Sequence, residues 1–259
     1  MSGGPLATGS VIAWRLATVV ENRRETSRTR TLLLHVADWP GHRAGQHVDV
    51  RLTAEDGYRT ERSYSIASAP EAPHLALTVE RLDDGEVSPY LVDELRAGDT
   101  LELRGPIGGY FVWEAKEGGP LLLVAGGSGI VPLMAMLRHR AVAAPHLRSA
   151  GGRPIETRLL YSSRTWAEVI YRDELAALAA SDPTLEVRHT LTRETDPAWR
   201  GLHRRIDRAM LEDIAWPAVE HPLAFVCGPT PMVEAVANAL VELGHDPARV
   251  KTERFGPSG

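Results

Sequence analysis

Two secondary-structure rhythms share this chain, and they meet at Lys116-Glu117-Gly118-Gly119-Pro120. Before that point come short runs rich in β-branched, aromatic and other apolar residues: Trp14 to Val20, Thr31 to Val36, His47 to Leu52, Ser63 to Ala67, Leu75 to Arg81 and Thr100 to Arg104. Several alternate apolar with polar residues, as half-buried strands do. Asp38-Trp39-Pro40-Gly41 and Ala69-Pro70 punctuate them. Strands this short and this closely spaced predict a small antiparallel β-barrel. One helix is expected within it, over Pro89 to Arg96. Ser88 suits its N-cap, Pro89 its first position and Gly98 its end.

After Pro120 apolar runs alternate with helical segments. Strands are expected at Leu121 to Ala125, Arg158 to Ser162, Leu185 to Leu191, Leu223 to Cys227 and Val250 to Phe255. Helices are expected at Val131 to Val142, Ala167 to Ala180, Ile206 to Ile214 and Pro231 to Leu243. This alternation predicts βαβ units and a parallel sheet. The expected architecture has two domains, a β-barrel over residues 1–116 and an α/β domain over residues 117–259. Pro145 to Pro154 reads as an exposed loop.

Composition narrows the function classes. A net charge of −5 argues against a broad nucleic-acid surface. The single cysteine excludes an intrachain disulfide and an iron–sulfur cluster held by this chain alone. No metal site is expected. Met1 to Pro5 lacks the basic and apolar regions of a signal peptide. The longest charge-free stretch, Gly118 to Leu137, is cut by Pro120, by Gly126 to Gly129 and by Pro132. It therefore reads as strand, loop and helix rather than a membrane span. A cytoplasmic protein is expected, with neither a membrane nor a nucleic acid as partner.

The chemistry-bearing motifs follow one another in order: Arg62-Ser63-Tyr64-Ser65, Gly85-Glu86-Val87-Ser88, Gly126-Gly127-Ser128-Gly129-Ile130-Val131-Pro132, Cys227-Gly228-Pro229 and Glu253-Arg254-Phe255. Arg62 offers a planar guanidinium able to bind two phosphate oxygens. The Gly85 to Ser88 turn, read as a helix N-terminus, favours an anion. Tyr64 shares a strand face with Arg62 and offers a flat partner to a ring, while Ser65 points the other way. An anion site beside an aromatic platform suits a flavin dinucleotide.

Gly126 to Gly129 joins a strand to a helix, the layout of a phosphate-binding turn. It is not a G-x-G-x-x-G loop, since Pro132 takes the place of the last glycine. Nor is it a nucleophile elbow, since Ile130 does. Cys227 ends a strand where open α/β sheets bind ligands. Each motif alone also fits an ordinary element: a strand, a cap, a tight turn, a buried thiol, an edge strand. Their order and spacing carry the functional reading.

With Ala44-Gly45-Gln46, Val79-Glu80-Arg81 and Arg104-Gly105-Pro106-Ile107-Gly108, these motifs resemble the ferredoxin–NADP reductase superfamily over nearly the whole chain. The resemblance implies a stand-alone, monomeric FAD-dependent reductase without a fused iron–sulfur domain. It would take hydride from NADPH, in preference to NADH, and pass electrons to a separate acceptor such as a ferredoxin or an oxygenase component. Two other roles stay open, an electron-transfer subunit of a larger complex and a non-catalytic sensor module.

The resemblance also implies roles for single residues. Arg62 and Gly85, Glu86, Val87 and Ser88 would hold the FAD pyrophosphate. Tyr64 would stack on the isoalloxazine beside Ser63, and Ser65 would reach its N5. Thr78, Val79, Glu80 and Arg81 would line the rest of the cofactor. Ser128 would approach the flavin, and Phe255 would cover it. Gly127, Ser128, Gly129, Ile130 and Pro132 would hold the NADP pyrophosphate. Ser162, Arg164, Thr192 and Arg193, with Arg172 assisting, would take the ribose phosphate end. Cys227, Gly228, Pro229 and Met232 would surround the nicotinamide. Ser65, Cys227 and Glu253 would serve the chemistry itself. Gly256 to Gly259 extend past the aromatic residue that is terminal in plant-type members, a departure that bears on Phe255.

Overall fold

The computed structural model describes residues 12–143 and 155–256. The expected loop at 145–154, the reading of Met1 to Pro5 and the last three residues of the tail lie outside them. Among the described residues no helix is long and apolar enough to cross a membrane.

The first part is a six-stranded antiparallel sheet. Its strands are β1 (Trp14–Arg24), β2 (Thr29–Val36), β3 (His47–Thr53), β4 (Arg59–Ser65), β5 (Leu75–Glu80) and β6 (Thr100–Ile107). They lie in the order β4-β3-β6-β1-β2-β5. A bridge between Ile66 and Leu77 brings the two edges together and closes the sheet into the expected barrel. Alternation along the strands buries Ala17, Val19, Leu32, Leu34, Val48, Val50, Leu77 and Leu103 inside it.

Two local expectations need correction. The helix expected over Pro89 to Arg96 covers residues 88–94: it opens at Ser88 and Pro89, with the Leu91 amide on the Val87 carbonyl at 3.2 Å, and widens into a π-helical turn, Tyr90–Glu94, closed by the Leu95 amide on the Tyr90 carbonyl at 3.1 Å. Ser88 does not cap it, because its hydroxyl accepts the Leu82 amide at 3.0 Å and closes the preceding loop. The fourth strand starts at Arg59 rather than Ser63. Its first residues are polar because it is an edge strand, and edges carry charge instead of apolar alternation.

The second part is a five-stranded parallel sheet, β7 (Leu121–Gly126), β8 (Thr157–Ser163), β9 (Leu185–Leu191), β10 (Leu223–Pro229) and β11 (Val250–Phe255), in the order β11-β10-β7-β8-β9. Helices α1 (Ile130–Ala143) and α2 (Arg172–Ser181) cover one face; α3 (Arg208–Ile214) and α4 (Thr230–Glu242) cover the other. The strand order turns back between β7 and β10, so their carboxyl ends flank a switch point where such sheets bind ligands. α2 starts later than expected. A short 3₁₀ turn, Trp166–Glu168, comes first, and Tyr171 then adopts a left-handed φ of 58°. Tyr171 is buried, and its hydroxyl is engaged by Thr78 of the barrel.

That contact is one of several joining the two parts. Arg138 of α1 donates to the Ala67 carbonyl at 2.7 Å, pairs bidentately with Glu174 at 2.8 and 2.6 Å, and lies over the Tyr171 ring. Lys251 donates to the Val112 carbonyl at 3.1 Å, and the Phe111 and Phe225 rings meet edge to face at 5.3 Å. These contacts set the end of β4 against the carboxyl ends of β10 and β11.

Candidate functional site

Arg62 and Tyr64 pair across the sheet with Val50 and Val48, both fully buried. Cross-strand partners share a face, so Arg62 and Tyr64 point toward the barrel interior. Arg62 is nonetheless exposed, because no ladder joins β4 to β5 beyond Ile66 and Ala67, and its side chain enters that opening. Tyr64 is half-buried against the barrel core, which pushes its phenol up to about 12. Ser63 lies on the opposite face and donates to Asp49 at 2.6 Å.

The 82–88 loop forms the other wall of the opening. Gly85 allows that loop to close on itself: a Cβ there would lie 2.9 Å from the Ser88 hydroxyl. Among the described residues, the amides of Glu86, Val87 and Ser88 have no acceptor. Glu86 reaches across the opening to Arg62 at 2.9 Å. Because the following helix is short, covering residues 88–94, its dipole adds little. The capacity for an anion rests instead on Arg62 and the free amides.

The remaining barrel candidates are engaged in structure. Thr78 bonds Thr31 at 2.8 Å as well as Tyr171, and Val79 lies in the barrel core. Both offer a ligand backbone rather than side chain. Glu80 is half-buried, and Arg81 pairs with Asp93 at 2.7 Å and with Asp83.

Ser65, Glu253 and Cys227 come together where the two parts meet. The Ser65 hydroxyl donates to Glu253 Oε1 at 3.4 Å, and Glu253 sits in register with Cys227 on the neighbouring strand. Burial raises the Glu253 carboxyl to about 7, against the bond from Ser65. Such a group can hold or release a proton near neutrality. Burial first, then Glu253, pushes the Cys227 thiol up, which disfavours the thiolate that nucleophilic attack requires. Phe255 ends β11 opposite Pro229 and is 36% exposed. His47 pairs with Ser65 across β3 and β4, and burial lowers its pKa. Sequence reasoning missed His47; only the strand register places it here.

On the sheet side, backbone packing requires glycine at Gly129, and the Met232 side chain crowds Gly126 and Gly228. A Cβ on Gly129 would lie 2.2 Å from the Cys227 carbonyl oxygen, and one on Gly126 2.5 Å from Met232 Sδ. Gly228 is likewise packed against Met232 and Gly126. The β7–α1 and β10–α4 turns thus touch directly. Gly127 differs: its φ is +53° and nothing lies within 4 Å of its Cβ position. Ser128 is half-exposed beside it, while Ile130 and Pro132 are buried in the first turn of α1.

Ser162 is in register with Gly126, and Thr192 and Arg193 follow β9 alongside it. The Arg193 amide donates to the Arg164 carbonyl at 2.8 Å, which brings the two exposed arginines together. Arg172 lies over the Trp166 ring at 5.7 Å and pairs with Asp173. Trp166 also meets Trp199 at 5.2 Å and is held by a bond from its amide to Glu194 at 2.7 Å. This aromatic shelf beside two arginines was missed in the sequence, where the two tryptophans lie 33 residues apart (199 − 166) with no shared motif.

The residues fit a dinucleotide on each side. The barrel side offers a guanidinium, free amides and an aromatic face. The sheet side offers an open glycine turn at a helix start and paired arginines at the far strand ends.

Family models match both parts: an oxidoreductase FAD-binding domain over residues 16–112 and an oxidoreductase NAD-binding domain over residues 123–238. The chain is 36% identical over 220 residues to ferredoxin–NADP reductase B of Sorangium cellulosum, covering 82% of this chain and 84% of that one. It is 31% identical over 239 residues to the glycine betaine monooxygenase reductase subunit of Chromohalobacter salexigens, covering 90% of this chain but only 62% of that protein's length. Among solved structures it resembles the Amycolatopsis cytochrome P450 reductase, 32% identical with a TM-score of 0.78, over 96% of this chain and 71% of that one.

Proposed function

The chain belongs to the ferredoxin–NADP reductase superfamily, and from that premise we propose that it is an FAD-dependent NAD(P)H oxidoreductase serving a separate electron acceptor. NADPH is the preferred donor, and the acceptor is a ferredoxin or an oxygenase component. The FAD part ends and the NAD(P) part begins at residues 116 and 117. The protein acts as a monomer in the cytoplasm. FAD, when bound, accepts a hydride and releases electrons singly; the chain supplies position and electrostatics.

The observation that carries this reading is the Ser65–Glu253 contact, with Cys227 in register beside it. It joins the end of the barrel motif to the ends of the two sheet motifs. Arg62 and the amides of Glu86, Val87 and Ser88 hold the diphosphate, and Tyr64 packs on the ring. Ser65 and Glu253 hold a proton beside the ring. Cys227, Gly228, Pro229 and Met232 shape the nicotinamide end without covalent attack. Arg164 and Arg193 select the ribose phosphate, with Trp166 as a flat surface nearby.

Anaerobic mixing of the purified chain with NADPH or NADH, followed by flavin absorbance, tests the reading. Bleaching is expected with both and faster with NADPH; no bleaching with either overturns it. Arg193→Ala should slow reduction by NADPH about tenfold and spare NADH, as loss of one charge-assisted phosphate contact does. Equal loss with both removes the basis for NADPH preference.

A further inference from the structure

Arg62 already carries an anion, and that anion belongs to the chain itself. The Glu86 carboxylate accepts from Arg62 Nη2 at 2.9 Å, Thr60 Oγ1 at 3.1 Å and Tyr58 Oη at 3.2 Å. All three donors come from β4 or the turn entering it, while Glu86 sits on the 82–88 loop. The carboxylate therefore bridges the two walls of the opening that Arg62 occupies. We propose that Glu86 is an internal competitor for the diphosphate seat. It holds Arg62 in the cofactor-free chain, is displaced when the FAD diphosphate binds, and so sets how tightly FAD is retained. This rests on the reading of Arg62 as the diphosphate ligand.

The chemistry decides how strong the competition is. Arg62 and Glu86 are 53% and 51% exposed, so their ion pair is hydrated on both sides. Exposed pairs contribute little, so displacing Glu86 lowers affinity by a small factor instead of blocking the seat. The diphosphate brings two charges and can also take the amides of Glu86, Val87 and Ser88, which Glu86 leaves unpaired. With Glu86 in place the guanidinium is neutralised, so an entering anion meets little net attraction. Once displaced, the carboxylate turns to solvent.

The test is titration of FAD into the full chain stripped of flavin, read by quenching of flavin fluorescence, for four proteins: wild type, Glu86→Gln, Arg62→Ala and the double variant. Gln removes the charge and keeps one oxygen, enough for Thr60 or Tyr58, which bond different oxygens of Glu86, but not for both. Glu86→Gln should bind FAD about two- to fivefold more tightly, the factor that an exposed pair's energy gives. Arg62→Ala should weaken binding about tenfold or more. In the Arg62→Ala background the Glu86→Gln gain should vanish, since the coupling runs through Arg62. Glu86→Gln affinity equal to or weaker than wild type overturns the proposal, as does a gain that persists without Arg62, which would mark general charge removal. Wild-type affinity in Arg62→Ala would overturn the diphosphate seat itself, and with it the competition.

Discussion

The barrel side and the sheet side of the cleft hold their groups by different physics. On the barrel side, Arg62, Tyr64 and Glu86 are side chains reaching into an opening between β4 and β5, and Arg62 is held by a half-exposed ion pair. On the sheet side, the corresponding motif is backbone laid on backbone. Gly129 is packed against the β10 backbone with no room for a methyl group, while Gly126 and Gly228 press on each other and on the Met232 side chain. In the first region, recognition and stability are separable. In the second, the atoms that shape the ligand turn also hold the domain together.

The largest expected effect tests the sheet side. Gly129→Ala places a Cβ 2.2 Å from the Cys227 carbonyl oxygen, which is backbone and cannot turn aside. Overpacking of this kind should cost about 3 kcal/mol or more, read as a drop in thermal midpoint. Gly127→Ala is the control within the same loop. Its space is open, and only the positive φ of +53° opposes a side chain, a cost of about 1 kcal/mol. If Gly129→Ala costs no more than Gly127→Ala, the backbone-packing account of this seat is wrong.

A middle-sized effect belongs to Glu253, where the two regions meet. Burial raises its carboxyl from an ordinary 4.5 to about 7. Between those values the folded chain keeps a proton that the unfolded chain has released. Stability from this group is therefore full below about 4.5 and falls as pH rises toward 7 and beyond. Glu253→Gln removes the titration. It should match wild type near pH 4 and exceed it at pH 8 by up to about 3 kcal/mol, measured by urea unfolding. Parallel pH profiles for the two proteins would mean the carboxylate is better solvated than its position implies.

How much of this was legible beforehand follows from where information lies along a chain. Apolar runs report burial directly, so β9 and β11 were read with the bounds they have, Leu185–Leu191 and Val250–Phe255. Elements without such runs were misjudged. Arg59 to Glu61 are polar because β4 is an edge, and Ser88 lies inside the helix instead of capping it, its hydroxyl serving the Leu82 amide. Candidate site residues could be proposed from motif chemistry, but not the contacts they make. Ser65 meets Glu253 across 188 positions, and Thr78 meets Tyr171 across 93. His47 and the Trp166–Trp199 shelf carry no local signal at all, because strand register and loop packing create them.

The smallest expected effect sharpens the comparison most. Arg62→Ala, measured without flavin, should leave the urea midpoint within about 0.5 kcal/mol of wild type. Its guanidinium is 53% exposed, its partner Glu86 keeps Thr60 and Tyr58 as donors, and no buried group loses a bond. The same substitution removes the fixed charge on which the proposed barrel seat rests. A residue that matters for a ligand and not for the fold is what an opening lined by side chains allows, and the sheet-side glycines offer no equivalent. A loss above about 1 kcal/mol in the flavin-free chain would instead make the Arg62–Glu86 pair a strut between β4 and the 82–88 loop. The two regions would then obey the same rule, and their contrast would disappear.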